Sequence, residues 1–354
     1  MRPLVALSLL LGACAPTDLP ADKRVVDTDP PVEDSGSADG SGEATDATDG
    51  SDGTDGSDGT DGTDATDATD GTDGTDGSDG SDGGDTAEPP PDPIDLRGDG
   101  GLAWDVDEAS FELSDGADLG YQLYSPETPA FVGLVILSHG FSRASDQMAG
   151  LAGRLASWGF VVITPDLLHS SAFDVDPEAN ADELNQLVAD LGGPPTLWAG
   201  HSNGAIVALL AAAAADDPRG LLGLDPVESF GGDSSGIAGS LSGVWTGALL
   251  GESGLCNAYN SGATAYAAAD DAVLWRITEA DHCDFEDPSD SLCTFTCGGS
   301  NDRFTDGEIN DTVGGLAVAW ALGAGLGDPS VDEWWTEPGY WNGELQAAGA
   351  ISAP

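Results

Sequence analysis

A serine held between glycines is the first chemical feature of this 354-residue chain. In "AGHSNGAIVALL" (199–210), Gly200 lies two residues before Ser202 and Gly204 two residues after it, the G-x-S-x-G spacing. Where a strand turns directly into a helix, that spacing makes a sharp elbow with the serine hydroxyl pushed out at the top of a sheet. The glycines suit it because a side chain at either position would collide across so tight a turn. The same letters also suit an ordinary helix N-terminus capped by Ser202 or Asn203. A nucleophilic serine needs a base, and the chain has four histidines. His201 adjoins Ser202 and is expected to point away from it. His139 lies in "SHGF" at a strand end, where backbone donors are expected to act, and His169 follows Asp166 at another. His282 comes late, after the last apolar strand, and is the natural base. The other three are assigned structural hydrogen-bonding roles.

These residues can meet only if the intervening segments place them at one edge. A hairpin over 109–127 is followed by the apolar runs "FVGLVILSHGF" (131–141), "FVVITPDLL" (160–168), "PTLWAG" (195–200), "GLLGLDPVE" (220–228), "SGVWTGALLGE" (242–252) and "AVLWRITEADH" (272–282). Between them, 144–159, 177–192 and the stretch after Ser202 have helical character. This alternation predicts an α/β fold with a mostly parallel central sheet flanked by helices. Ligands in such sheets bind at the carboxyl ends of the strands. His139-Gly140-Phe141, Ser202, Asp225, Glu252 and His282 all fall at such ends.

The run "LSHGF…LASWGFVVITPD…GHSNG…GLDPVE…LLGE…DHCDFED" resembles the chlorophyllase and dienelactone-hydrolase-like branch of the α/β-hydrolase superfamily. "SHGF" and "LASWGFVVITPD" are also similar to cutinase-like polyester hydrolases. The match covers about residues 109–290. Chlorophyllases carry "GHSRGG", "DPVDG" and "GHMD" in this order. The resemblance implies an α/β-hydrolase fold and a carboxylic ester hydrolase with Ser202 as nucleophile, His282 as base and Asp225 as triad acid. Ala205 stands at the family's last glycine, and Glu228 replaces the second acid of "DPVDG". Glu252 occupies the strand end more usual for this acid across the superfamily, so Glu252 and Glu228 remain alternatives. Backbone N–H groups of Phe141 and Asn203 would form the oxyanion hole. The Phe141 ring would wall the acyl group, with Met148 or Trp245 beside it. No metal or organic cofactor is required, and the expected partner is a small-molecule or polymeric ester. No long insertion follows "DPVE", which disfavours a large lid. The competing class of function is a non-catalytic acidic surface lipoprotein that uses this fold as a binding or scaffold module. Presence of the serine, the base and the oxyanion glycine favours the enzyme.

Composition sets the surroundings. Residues 1–14, "MRPLVALSLLLGAC", have an early arginine and a leucine-rich core, as in a secretory signal. Leu11-Gly12-Ala13-Cys14 resembles the lipobox of bacterial lipoproteins, which implies cleavage before Cys14 and lipidation of its thiol. The apolar run is too short to span a bilayer. An exported protein, lipid-anchored to the bacterial envelope at the outer membrane or cell surface, is expected. Residues 15–97 read as a disordered acidic linker: aspartate recurs at every third position from Asp46 to Asp85, and 25–96 hold 23 acidic residues with no lysine or arginine. Residues 98–354 are expected to form one monomeric α/β-hydrolase domain. Five arginines against 39 acidic residues give that domain a formal charge of −34, which excludes nucleic acid as a partner. Cys256, Cys283, Cys293 and Cys297 predict two disulfides around the base-bearing loop, in any of three pairings. No Cys-x-x-Cys pair supports a zinc site.

Overall fold

Strands that read as unbroken apolar runs are those covered on both faces. The computed structural model describes residues 93–229, 232–299 and 302–354, so the signal region with Cys14 and the aspartate tract lie outside the described residues. Its strands are β1 (Trp104–Glu112), β2 (Asp118–Pro126), β3 (Leu134–Ser138), β4 (Val162–Pro165), β5 (Ser170–Ser171), β6 (Asp174–Val175), β7 (Thr196–His201), β8 (Pro218–Leu224), β9 (Trp245–Leu250), β10 (Val273–Ile277) and β11 (Ile351–Ser352). Nine form one sheet in the order β1-β2-β4-β3-β7-β8-β9-β10-β11, and β5 and β6 make a separate small hairpin. The five pairings from β4 through β10 are parallel, and those of β1 with β2, β2 with β4 and β10 with β11 are antiparallel. The helices are α1 (Ala149–Ser157), α2 (Pro177–Asp190), α3 (Asn203–Ala214), α4 (Ser235–Ala238), α5 (Ala263–Ala267), α6 (Ser291–Cys297), α7 (Asp306–Leu326), α8 (Ser330–Trp335) and α9 (Tyr340–Ala348). The fold is α/β with a mostly parallel sheet flanked by helices.

Alternation along each strand splits the core into two layers. In β3, Val135 and Leu137 pack with α1, α7 and α8 on one face, through Leu155, Leu316 and Trp335. Leu134 and Ile136 point to the other face, against Leu184 of α2 and Val207 of α3. Leu96 is fully buried in the first layer, and the Arg97 guanidinium lies 5.0 Å from the centre of the Trp341 ring. The expected boundary at residue 98 therefore moves back, because Leu96 and Arg97 belong to the folded domain. Among the described residues, no helix is long and apolar enough to cross a membrane.

Candidate active site

The elbow forms as its spacing requires. β7 ends at His201, α3 starts at Asn203, and Ser202 alone makes the turn with φ 57° and ψ −127°. A non-glycine residue held there costs on the order of 1–3 kcal/mol, so the surroundings must over-determine it. A Cβ on Gly200 would lie 2.2 Å from the Gly204 carbonyl oxygen, and one on Gly204 would lie 2.1 Å from that of His139. Both glycines are thus fixed by close backbone approach.

The structure brings Ser202, His282 and Asp225 together. His282 sits in a single turn of 3₁₀ helix, His282–Phe285, beyond the end of β10. Its Nε2 is 2.9 Å from Ser202 Oγ, and its Nδ1 is 2.6 Å from Asp225 Oδ2. With Nδ1–H donating to the carboxylate, Nε2 is left to accept from the serine hydroxyl. Asp225 follows β8, is fully buried, and has φ 43°. Its second oxygen accepts from Gly251 N–H at 2.9 Å and Asn257 Nδ2 at 3.3 Å. These donors satisfy a buried carboxylate that would otherwise be costly.

Glu252 and Glu228 take no part in that chain. Glu252 is exposed and accepts from the Glu279 backbone N–H at 3.2 Å. Glu228 lines the same cleft but accepts from Ser234 N–H at 2.7 Å. Of the expected apolar wall, Phe141 lines the cleft and is 43 % exposed. Met148 instead is fully buried in the core, and Trp245, at the start of β9, packs edge-on to Trp335 at 5.0 Å. Met148 follows the helical face that covers the sheet, and Trp245 lies at the strand end away from Ser202, so neither contributes a wall.

The cleft over Ser202 has a volume of about 680 Å³. Gly140, Phe141 and Asn203 border it on the serine side, Val175 and Val227 flank it, and Leu292 and Thr296 of α6 face it. Among the described residues, the backbone N–H groups of Phe141 and Asn203 donate to no protein acceptor. Cys256–Cys297 and Cys283–Cys293 are the disulfide pairs, and all four cysteines lie on segments around the cleft. Cys283, Cys293 and Cys297 bring their sulfurs close enough for a metal, but each is already bonded to another cysteine.

The remaining histidines are structural. His139 Nδ1–H donates to the Gly140 carbonyl at 2.8 Å, and its Nε2 accepts from Leu167 N–H at 3.0 Å. Burial depresses its pKa. His169 bridges Asp174 and Glu183, whose hydrogen bonds and charges raise its pKa against the desolvation that opposes them. His201, fully desolvated beneath the site, has its pKa lowered by burial and by His282, and donates from Nε2 to the His282 carbonyl at 3.0 Å.

Three residues around the triad escape the sequence patterns: Asn257, Arg143 and Glu286. Asn257 also donates to the Glu252 carbonyl at 2.8 Å, tying two loops beneath Asp225. It follows Cys256 in an irregular loop with no periodicity to mark it. Arg143 has a compositional signal, since residues 98–354 hold five arginines against 39 acidic residues and this one stands two residues past "SHGF". Its partner Glu286 is nearly fully buried. Burial would raise the Glu286 pKa, but the hydrogen bonds and the charge of the Arg143 guanidinium work against it, and the carboxyl lies below its ordinary value. No protein-family model matches the chain, and no curated protein matches it.

Proposed function

We propose that the protein is a serine hydrolase of carboxylic esters on an α/β-hydrolase fold, related to the chlorophyllase and dienelactone-hydrolase-like branch. The observation that carries this is the continuous hydrogen-bonded chain from Ser202 Oγ through His282 to buried Asp225, opening on a cleft with two unpaired N–H groups. The strand order, with nucleophile, acid and base each following a parallel strand, also favours it.

In the proposed reaction Ser202 Oγ attacks the ester carbonyl carbon while His282 Nε2 takes the hydroxyl proton. Asp225 holds the imidazole tautomer and stabilises the imidazolium that forms. The oxyanion accepts hydrogen bonds from Phe141 and Asn203 N–H. Collapse expels the alcohol, which leaves with the proton from His282, and water repeats the sequence on the acyl-enzyme to release the acid. The apolar groups of Phe141, Val175, Val227 and Leu292 around the cleft favour an uncharged, apolar acyl or alcohol portion. Small or polymeric esters that reach an open cleft are the substrates, and the lipobox at Cys14 would hold the enzyme at the bacterial envelope.

A scaffold module would need neither a strained nucleophile nor an aligned base. Hydrolysis of p-nitrophenyl esters of increasing acyl length, by the wild type and Ser202→Ala, separates the two. The enzyme predicts turnover that varies with chain length and disappears in Ser202→Ala. Equal background rates in both proteins would leave only the scaffold.

A further inference from the structure

The oxyanion loop and the base loop are joined by a charged pair that the reaction itself does not use. Arg143 lies two residues after Phe141, and Glu286 four residues after His282. Glu286 accepts from Arg143 Nε at 2.6 Å and from Nη2 of the same guanidinium, a two-pronged contact. The Arg143 side chain is 12 % exposed and that of Glu286 1 %. The third arm of the fork, Nη1, donates to Asp290 Oδ2 at 2.9 Å. Asp290 caps α6 by accepting from Cys293 N–H at 2.8 Å. Behind Glu286, Oε1 is 3.4 Å from His201 Nδ1, and His201 donates to the His282 carbonyl.

Two features ask for a function beyond stability. A buried ion pair gives little net stability over an apolar pair of similar volume. The oxyanion loop also has a conformation that its own residues do not favour, since Ser142, between Phe141 and Arg143, has φ 55°. That loop is held from outside by Ser142 N–H donating to the Ser170 carbonyl at 2.5 Å and by the Arg143 fork. We infer that Arg143 and Glu286 are positioning residues: their clamp fixes the Phe141 N–H against the Ser202–His282 pair, so that the oxyanion donor and the base keep one relative placement through the reaction. This rests on the ester-hydrolase function proposed above.

Arg143→Lys keeps the charge but loses the planar fork. Misplacing an oxyanion donor acts on the transition state, so kcat on p-nitrophenyl butyrate is expected to fall about ten- to hundredfold with KM within about twofold. Affinity for a phenylboronic acid, whose adduct oxygen takes the oxyanion position, should fall with kcat. Arg143→Met/Glu286→Leu replaces the pair by apolar groups, and is expected to keep its thermal unfolding temperature while showing the same loss in kcat. Either variant, folded and with wild-type kcat, overturns the clamp, as does a loss confined to KM with boronate affinity unchanged. A wild type without esterase turnover overturns the ester hydrolase, and the clamp with it; an active wild type matched by Arg143→Lys overturns the clamp alone.

Discussion

Asp225 and Glu252 both stand just past the ends of neighbouring strands, yet their surroundings fit them for different work. Asp225 is buried, takes three hydrogen bonds and aims one oxygen at His282 Nδ1, whereas Glu252 is exposed and supports a backbone turn. Asp225→Asn should lower kcat by about 10⁴-fold through the wrong histidine tautomer, and Glu252→Gln should leave it near the wild-type value. Steady-state kinetics of the two variants on one soluble ester checks this, and the reverse ranking would contradict it. A second titrating group lies close by. Burial pushes the Asp284 carboxyl up to about 7, with the charges of Asp281 and Asp306 adding to the shift. The folded state therefore binds this proton more tightly than the unfolded chain, so the group's contribution is full below about pH 4 and is lost as pH rises through about 7. Asp284→Asn keeps an oxygen acceptor for the Asp281 N–H and should stabilise the protein at pH 8 while doing little at pH 4. Denaturant unfolding at the two pH values reads this, and equal effects at both would refute it.

At the scale of elements, α6 is a short helix tied down at both ends of its span. Cys293 bonds to Cys283, beside the base, and Cys297 bonds to Cys256. Closing loops with separations of 10 and 41 residues is worth about 3 and about 4 kcal/mol in the chain-entropy estimate. Since both bonds fasten the cleft wall and the base loop rather than the sheet, reduction should lower activity at temperatures where the far-ultraviolet circular dichroism is unchanged. Simultaneous loss of both signals would contradict that. The strands of the main sheet up to β10 and helices α1, α2 and α3 are legible in the sequence as apolar runs or helical segments bounded by glycine, proline or a polar cap. By contrast, β5, β6, α4 and α5 are too short to show a period. The C-terminal elements are not legible either. α7 is apolar nearly all round, with Val313, Leu316, Val318 and Trp320 all buried, so it presents no stripe. β11 has two residues, too few for any alternation, and is a strand only because Ile351 pairs with Ile277. The serine and histidine that meet at the cleft, Ser202 and His282, are legible as candidates from spacing and order, whereas Asp225 is preferred to Glu252 mainly through resemblance. The Arg143–Glu286 contact spans 143 residues and leaves no local pattern.

Across the whole molecule, charge and site are set against each other. Residues 98–354 have a formal charge of −34, and Arg143, which lines the cleft, is already paired with two carboxylates. A field of one sign steers charged substrates, and salt screens it over a length of roughly 8 Å at physiological ionic strength. kcat/KM for an ester with a quaternary ammonium group should therefore fall as salt rises. The value for an ester carrying a free carboxylate should climb, and that for a neutral ester should stay nearly flat. Identical salt profiles for the three would show that this charge does not reach the cleft.

The proposed hydrolysis requires Ser202 to be a nucleophile activated by His282. Intact-mass measurement after brief exposure to a fluorophosphonate tests it most directly, with the adduct located by peptide mapping. One phosphonyl group on Ser202 is expected in the wild type, with none in Ser202→Ala and far slower labelling in His282→Ala. An unlabelled wild type, or a label that persists at another residue in Ser202→Ala, would contradict it.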